Sequence, residues 1–346
     1  MTITKTLTSW YSIHKRDLPW RNTTNPYYIW LSEIILQQTQ IKQGLPYYEA
    51  FVNNYPTVFQ LAKAKESQVL KLWQGLGYYS RARNLHATAK YVAYELHGEF
   101  PKNYKGLLKL KGVGDYTASA IASICFNENT AVLDGNVYRF LSRYFGINTP
   151  INTTNGFKTF KALAQEILDK NNPAEHNQAI MDFGSRQCMP TNPDCTVCPF
   201  KESCVAYNKS LVAALPVKLK AKKPVKKYFN FLVFISSSGQ TILEKREEKG
   251  IWKNLYQFPL IETEKATHLN DFKSKLKTYP LLNGENYELI LFNDTDIVHK
   301  LSHQHLHTKF WIVNLNKLPT SGIPIKNLRD YAVPVLIEKF IDDFNF

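Results

Sequence analysis

Cys188, Cys195, Cys198 and Cys204 account for four of the chain's five cysteines and follow the spacing C-x6-C-x2-C-x5-C. Four thiolates in one short loop can surround a metal centre, and both structural zinc and an iron-sulfur cluster accept four cysteines. Zinc sites usually carry two C-x2-C knuckles, whereas here only Cys195 and Cys198 stand that close, so the spacing favours a larger cluster. Cys125, in an Ala-Ser-Ile-Cys-Phe stretch, reads as ordinary core. Glu33 sits mid-helix among Trp30, Ile34 and Leu36, an unfavourable place for a carboxylate unless it is paired, exposed or functional. Burial there would raise its pKa and suit a general acid. Asp134 opens an Asp-Gly-Asn sequence ahead of a helical run from Val137 and reads as a helix cap. Gly112, Val113 and Gly114 form a tight turn between a short helical run and a longer helix. Their backbone amides, with the positive end of that helix, suit a phosphate. Lys111 and the chain's basic balance make a DNA backbone the expected phosphate, in contacts that position without reading sequence.

The elements that must hold these residues are helical up to about Tyr207, with apolar residues three and four apart. Asn25 and Pro26 start a helix as polar cap and first-turn proline, and the run continues to Gln40. Further helices are expected at Val69 to Trp73, Ser80 to Leu96, Tyr116 to Phe126, Val137 to Tyr144, Phe157 to Lys170 and Asn177 to Gln187. Between Ser203 and Leu243 no acidic residue occurs, while lysines gather around Pro216 and Pro224, which marks a basic interdomain linker. Beyond Lys227 the period shortens to that of strands at Tyr228 to Ile235, Gln240 to Lys245, Tyr287 to Phe292, Ile297 to His303 and Thr308 to Leu315. Helices are expected at Leu269 to Leu276 and Val333 to Phe340. The fold class is therefore an all-α domain followed by a smaller α+β domain. The boundaries read as 1–208, a linker at 209–227, and 228–346.

The 346 residues suit two domains or one large one. Lysine and arginine number 43 against 29 aspartates and glutamates, a net charge of +14 that suggests a polyanionic partner. With 44% hydrophobic and 13% aromatic residues the chain is too apolar for a disordered tail. No stretch is long and apolar enough for a membrane helix, and the N-terminus lacks the pattern of a secretory signal, so a cytoplasmic protein is expected.

A Gly-Val-Gly hairpin, then Leu133-Asp134-Gly135-Asn136-Val137, then the cysteine loop resemble, in that order, the helix-hairpin-helix DNA glycosylases that carry a four-iron, four-sulfur cluster. The resemblance runs from Leu18 to Cys204. Within that superfamily Leu18-Pro19-Trp20-Arg21, the run Ser32 to Thr39 and the run Gly75 to Leu85 are similar to the adenine DNA glycosylases of the MutY type. The resemblance implies a bacterial enzyme working on nucleoid DNA, which removes adenine mispaired with 8-oxoguanine or guanine in double-stranded DNA. It implies one 4Fe-4S cluster on the four cysteines, and the abasic product would pass to an abasic-site endonuclease, with replication factors as further partners. A monomer is expected.

Adenine leaves deoxyribose when its ring nitrogens are protonated, and the bond breaks with oxocarbenium character, so the reaction calls for an acid near the base and a carboxylate near the sugar. By resemblance Glu33 protonates N7 and then handles the water, while Asp134 stabilises the cationic sugar or bonds to it transiently. Tyr116 stands where the glycosylase/lyases of the endonuclease III type carry a Schiff-base lysine, and a tyrosine cannot form an imine, so a monofunctional enzyme is expected. Tyr116 and Asn136 then hydrogen-bond Glu33 and Asp134. The base must be extruded for reaction. Gln38, Thr39, Leu76 and Tyr78 match the family residues that wedge into the stack and touch the opposite strand. Arg16, Trp20, Arg21 and Gln178 match those around the flipped adenine.

The run Gly250 to Pro259 looks like the start of a Nudix-type domain, but Leu260 to Phe272 lacks the carboxylate series that would hold magnesium. The domain should recognise 8-oxoguanine rather than hydrolyse nucleotides. Leu301, Ser302 and His303 fall where the family has Phe-Ser-His, so stacking is reduced and hydrogen bonding from Ser302 and His303 is kept. Two other readings stand beside this one: an endonuclease III-like glycosylase/lyase for oxidised pyrimidines, and a non-catalytic iron-sulfur protein that binds DNA.

Overall fold

Apolar positions at helical spacing build the first half. The computed structural model describes residues 2–220, 223–344 and 346. Its helices are α1 (Ile3–His14), α2 (Pro26–Ile35), α3 (Ile41–Asn54), α4 (Val58–Lys63), α5 (Glu66–Leu72), α6 (Ser80–Lys90), α7 (Tyr104–Leu107), α8 (Asp115–Phe126), α9 (Gly135–Phe145), α10 (Thr154–Glu166), α11 (Pro173–Arg186) and α12 (Val205–Asn208). Contacts group the chain into two units, Met1–Lys63 with Asn84–Lys220, and Ala64–Arg83 with Ala221–Phe346.

In the first unit α2 is capped as its sequence requires. The Asn25 side chain accepts from Tyr27 N at 2.9 Å, and Pro26 occupies the first turn, where its missing N–H costs nothing. Tyr27 and every residue from Ile29 to Ile35 are buried, so α2 is a central helix with a carboxylate carried inside it. It ends at Ile35 instead of running on to Gln40. Gln38 adopts a left-handed backbone (φ 53°), and Thr39 N turns back to Leu36 O at 3.1 Å. Gly112 (φ +82°) turns the chain ahead of α8, and a Cβ there would stand 2.8 Å from Asn84 Cβ, so the position requires glycine. The core joins Leu7, Trp10 and Tyr11 of α1 to Phe140 of α9, Phe160 of α10 and Phe183 of α11. Each such large side chain stabilises the unit by roughly 1.5–3 kcal/mol when fully buried.

The second unit is built on a mixed sheet. Its elements are β1 (Val225–Ser236), β2 (Gln240–Thr241), β3 (Glu244–Lys245), β4 (Tyr256–Gln257), β5 (Leu260–Thr263), α13 (Leu269–Leu276), β6 (Glu288–Leu291), β7 (Ile297–Lys300), β8 (Gln304–Leu315), β9 (Ile323–Pro324) and α14 (Val335–Phe344). β1 and β8 pair in parallel, with β5 on the far side of β1 and both β6 and β7 antiparallel to β8. Phe229 to Phe234 are consecutively buried, as expected of a strand covered on both faces. Trp311 stacks on Phe272 of α13 at 4.2 Å, and Phe310 on Phe340 of α14 at 4.0 Å. The stretch Gln240 to Lys245 is two short strands with different partners, and β8 begins at Gln304. The strand expected to reach His303 stops at Lys300, so Leu301, Ser302 and His303 form the turn into β8. α5 packs within this unit: Lys71 Nζ donates to Tyr331 O at 3.2 Å, and Gln74 Nε2 to Glu338 Oε1 at 2.7 Å.

Candidate active site

Glu33 is buried within α2, and burial pushes its carboxyl up to about 7. A hydrogen bond from Tyr116 and the charge of Arg21 draw it down, while the charge of Asp134 pushes it up. A carboxyl near 7 is shared between acid and carboxylate at neutral pH, the range in which a general acid is effective. Tyr116, on α8, is raised well above its ordinary value by burial and by Glu33 and Asp134, so it stays a hydroxyl donor. Cys125, also on α8, is pushed up to about 12 by burial and then by the charge of Glu33.

Asp134 caps α9. Its Oδ1 accepts from Asn136 N at 2.9 Å and Val137 N at 2.8 Å, and its Oδ2 accepts from Asn136 Nδ2 at 2.7 Å. Burial raises its pKa, and those three bonds and the charge of Arg139 work against the rise. The helix-cap reading therefore holds, in a carboxylate that also lies within the field of Glu33. Asn136 Oδ1 in turn accepts from Arg139 Nη2 at 2.8 Å.

Arg16, Arg21 and Gln178 line one cavity of about 400 Å³. Gln178 Oε1 accepts from the Tyr11 hydroxyl at 2.7 Å, which fixes the amide. Trp20 does not line that cavity; it is buried edge-on against Tyr48, with ring centres 5.0 Å apart. Both arginines bond Asp182, a buried residue of α11 that sequence reasoning passed over. The available signal was a carboxylate between Met181 and Phe183, one helical turn beyond Gln178.

Leu76, Tyr78, Ser302 and His303 come together in the second unit around a cavity of about 540 Å³, joined by Trp252 and His299. Tyr78 has a left-handed backbone (φ 47°) and is half exposed, whereas Leu76 is buried, so the tyrosine ring is the one presented outward. Gln38 and Thr39 occupy the turn after α2, and Gly112, Val113 and Gly114 lead into α8.

Cys188, Cys195, Cys198 and Cys204 line one cavity walled by Phe140, Phe183 and Phe200. Among the described residues no three histidines, cysteines, aspartates or glutamates are grouped to hold a metal ion. Burial pushes the Cys198 thiol up to about 11 and raises Cys188 and Cys195, while Arg143 and then Arg139 pull Cys188 back. Arg143 Nη1 lies 3.4 Å from Cys188 Sγ, and Arg139 Nε donates to Cys188 O at 2.7 Å. Thiols facing an apolar cavity, with cations against one sulfur, fit a group that binds thiolates.

This architecture is that of a base excision repair glycosylase joined to a Nudix-like domain. The chain matches the HhH-GPD superfamily base excision DNA repair protein over residues 31–169 and the NUDIX domain over residues 230–343. A solved thermostable thymine-DNA glycosylase is similar to it with a TM-score of 0.56 and 30% identity, over 60% of this chain and 95% of that one. It is 35% identical to the adenine DNA glycosylase of Buchnera aphidicola subsp. Schizaphis graminum (strain Sg) over 97% of this chain and 96% of that protein. The human adenine DNA glycosylase is 42% identical over 58% of this chain and 38% of its own length. The chain belongs to the adenine DNA glycosylase family, and it is an adenine-excising glycosylase of DNA repair. Among the described residues no helix is long and apolar enough to cross a membrane.

Proposed function

We propose that this enzyme excises adenine opposite 8-oxoguanine, and opposite guanine, without cutting the strand. The observation that carries the chemistry is a buried Glu33 pushed up to about 7, with Tyr116 and Asp134 both acting on it. Protonated Glu33 gives its proton to N7 of the flipped adenine. The bond from the sugar carbon to N9 breaks, and its electron pair leaves with the base. Asp134, held by Asn136 and the start of α9, faces the positive charge that develops on the sugar. Glu33, now a carboxylate, takes a proton from the attacking water. Tyr116 offers no amine, so the reaction ends at an abasic site.

Arg16, Arg21 and Gln178 hydrogen-bond the base edge, while Trp20, packed on Tyr48 outside that cavity, supports the turn that carries Arg21. Gln38, Thr39, Leu76 and Tyr78 meet the opened stack, and Gly112, Val113 and Gly114 hold a phosphate. The cavity lined by Trp252, Ser302 and His303 takes 8-oxoguanine, whose hydrogen-bonding edge suits the serine and histidine. The division at 1–208, 209–227 and 228–346 assigns excision to the first part and opposite-base recognition to the last. Cys188, Cys195, Cys198 and Cys204 would hold a 4Fe-4S cluster. The four cysteines share one apolar cavity, and their C-x6-C-x2-C-x5-C spacing lacks the paired C-x2-C knuckles usual for zinc. The cluster would tie the loop together.

The test is single-turnover base release from duplexes with adenine opposite 8-oxoguanine, adenine opposite guanine, or an oxidised pyrimidine opposite a purine. Adenine release with breaks only after alkali is expected; nicking without alkali, or release of the pyrimidine, contradicts the proposal.

A further inference from the structure

Asp182 lies on α11, and its side chain is fully shielded from solvent. A buried carboxylate is tolerated where its charge is compensated. Arg21 donates from Nη1 to Oδ2 at 2.8 Å and from Nη2 to Oδ1 at 2.7 Å, and Arg16 Nη2 donates to Oδ1. Burial works to raise the Asp182 pKa, but the bonds and charges of Arg21 and Arg16 outweigh it and hold the group below the ordinary carboxylate value. Arg21 is fixed further by donating from Nη1 to Arg16 O at 2.9 Å and by lying 5.6 Å from the centre of the Tyr11 ring. Both arginines line the cavity shared with Gln178, and the buried Arg16 Nε has no protein partner, so a donor remains for a molecule entering it.

Charged and titratable groups from three elements interact electrostatically with Glu33: Tyr116 and Cys125 on α8, Asp134 at the cap of α9, and Arg21 in the turn Pro19–Arg21. Arg21 is the cation among them, and an uncompensated cation beside a carboxyl favours its ionised form. We propose that Asp182 is a positioning residue for adenine excision: it fixes the guanidinium groups of Arg16 and Arg21 and neutralises Arg21, so that Glu33 keeps its proton. This rests on Glu33 being the acid.

The test is the pH dependence of single-turnover adenine release by the full chain. Release needs protonated Glu33, so it is present at low pH and falls as pH rises. In Asp182→Asn the midpoint of that fall is expected to move down by about one pH unit. Asp182→Glu keeps the charge and is expected to keep the wild-type midpoint, even at a reduced rate. An Asn profile that superimposes on wild type after scaling, or a Glu variant that shifts as far as the Asn variant, overturns the inference. If Asp182→Asn does not fold, Arg21→Gln is compared with the double variant Arg21→Gln/Asp182→Asn, which leaves Arg21 no charge to neutralise. Equal midpoints in that pair are expected, and a lower midpoint in the double variant overturns the inference. Inactive Glu33→Gln together with an unmoved midpoint in Asp182→Asn sinks this inference alone; an active Glu33→Gln sinks the acid assignment beneath it.

Discussion

Asp134 and Cys188 stand at the two ends of one hydrogen-bonded chain. Asn136 Nδ2 donates to Asp134 Oδ2 at 2.7 Å, Arg139 Nη2 to Asn136 Oδ1 at 2.8 Å, and Arg139 Nε to Cys188 O at 2.7 Å. The first turns of α9 thus tie the candidate sugar-facing carboxylate to the cysteine loop. Arg139 also donates to Gly184 O, which anchors α9 to α11.

Arg139→Leu removes that junction while keeping most of its volume. Lost bonds from a buried charged donor cost roughly 1.5–3 kcal/mol each, with non-additive sums, so the first urea transition should fall by about 3 kcal/mol. Adenine release and the iron retained on purification should fall together. An iron content and urea midpoint equal to wild type would show that α9 and the loop do not depend on one another.

Asp134→Asn separates two roles of one residue. Asparagine caps a helix about as well as aspartate, so unfolding stability should stay within about 0.5 kcal/mol. Loss of the carboxylate facing a developing cation should slow release by roughly 10²–10³-fold. Stability and rate falling in parallel would mean that Asp134 acts only as a cap.

Glu33→Gln should be more stable than wild type at alkaline pH. The folded-state pKa of Glu33 is near 7 against an ordinary 4.5, so the native state binds the extra proton between those values. Its contribution is most favourable below the ordinary value and is lost as pH rises toward 7. Above that, carrying the buried carboxylate costs about 3 kcal/mol, which the neutral amide avoids. Urea unfolding at acidic and alkaline pH measures the difference, and equal stabilities at both would contradict a buried, raised carboxyl.

Leu301 lines the cavity that also holds Tyr78 and Trp252. Leu301→Phe should restore a stacking surface worth roughly 1–3 kcal/mol, and so raise the preference for adenine opposite 8-oxoguanine over adenine opposite guanine by about tenfold. Competition between the two duplexes reads this directly, and an unchanged ratio would place opposite-base recognition elsewhere.

The buried position of Glu33 and the cap at Asp134 were legible in sequence because a carboxylate in an apolar helix and a cap signal are local features, whereas the part given to Tyr116 came from the resemblance alone. Asp182 was not, since its partners Arg16 and Arg21 lie more than 160 positions away and an ion pair leaves no periodic trace. The break after Ile35 was hidden for another reason. Leu36, Gln37 and Gln38 are good helix formers, and the left-handed backbone at Gln38 lacks the glycine or asparagine that usually announces it. The early start of β8 is set by pairing: Gln304 lies opposite Val225 across the parallel ladder, and histidines at 305 and 307 gave no apolar alternation. Cysteine spacing pointed to one shared centre; the four cysteines line one cavity, but among the described residues no three of them are grouped to hold a metal ion.

The pH dependence of single-turnover adenine release, in wild type and Glu33→Gln, tests the central claim most directly. The wild-type rate should be level at mildly acidic pH and fall about tenfold per unit once pH passes the value near 7 set by burial of Glu33. Glu33→Gln should be slower by roughly 10²–10⁴-fold and show no such fall, while still binding the duplex. A wild-type rate that rises through this range, or a Glu33→Gln rate within a few-fold of wild type, would contradict acid-assisted excision by Glu33.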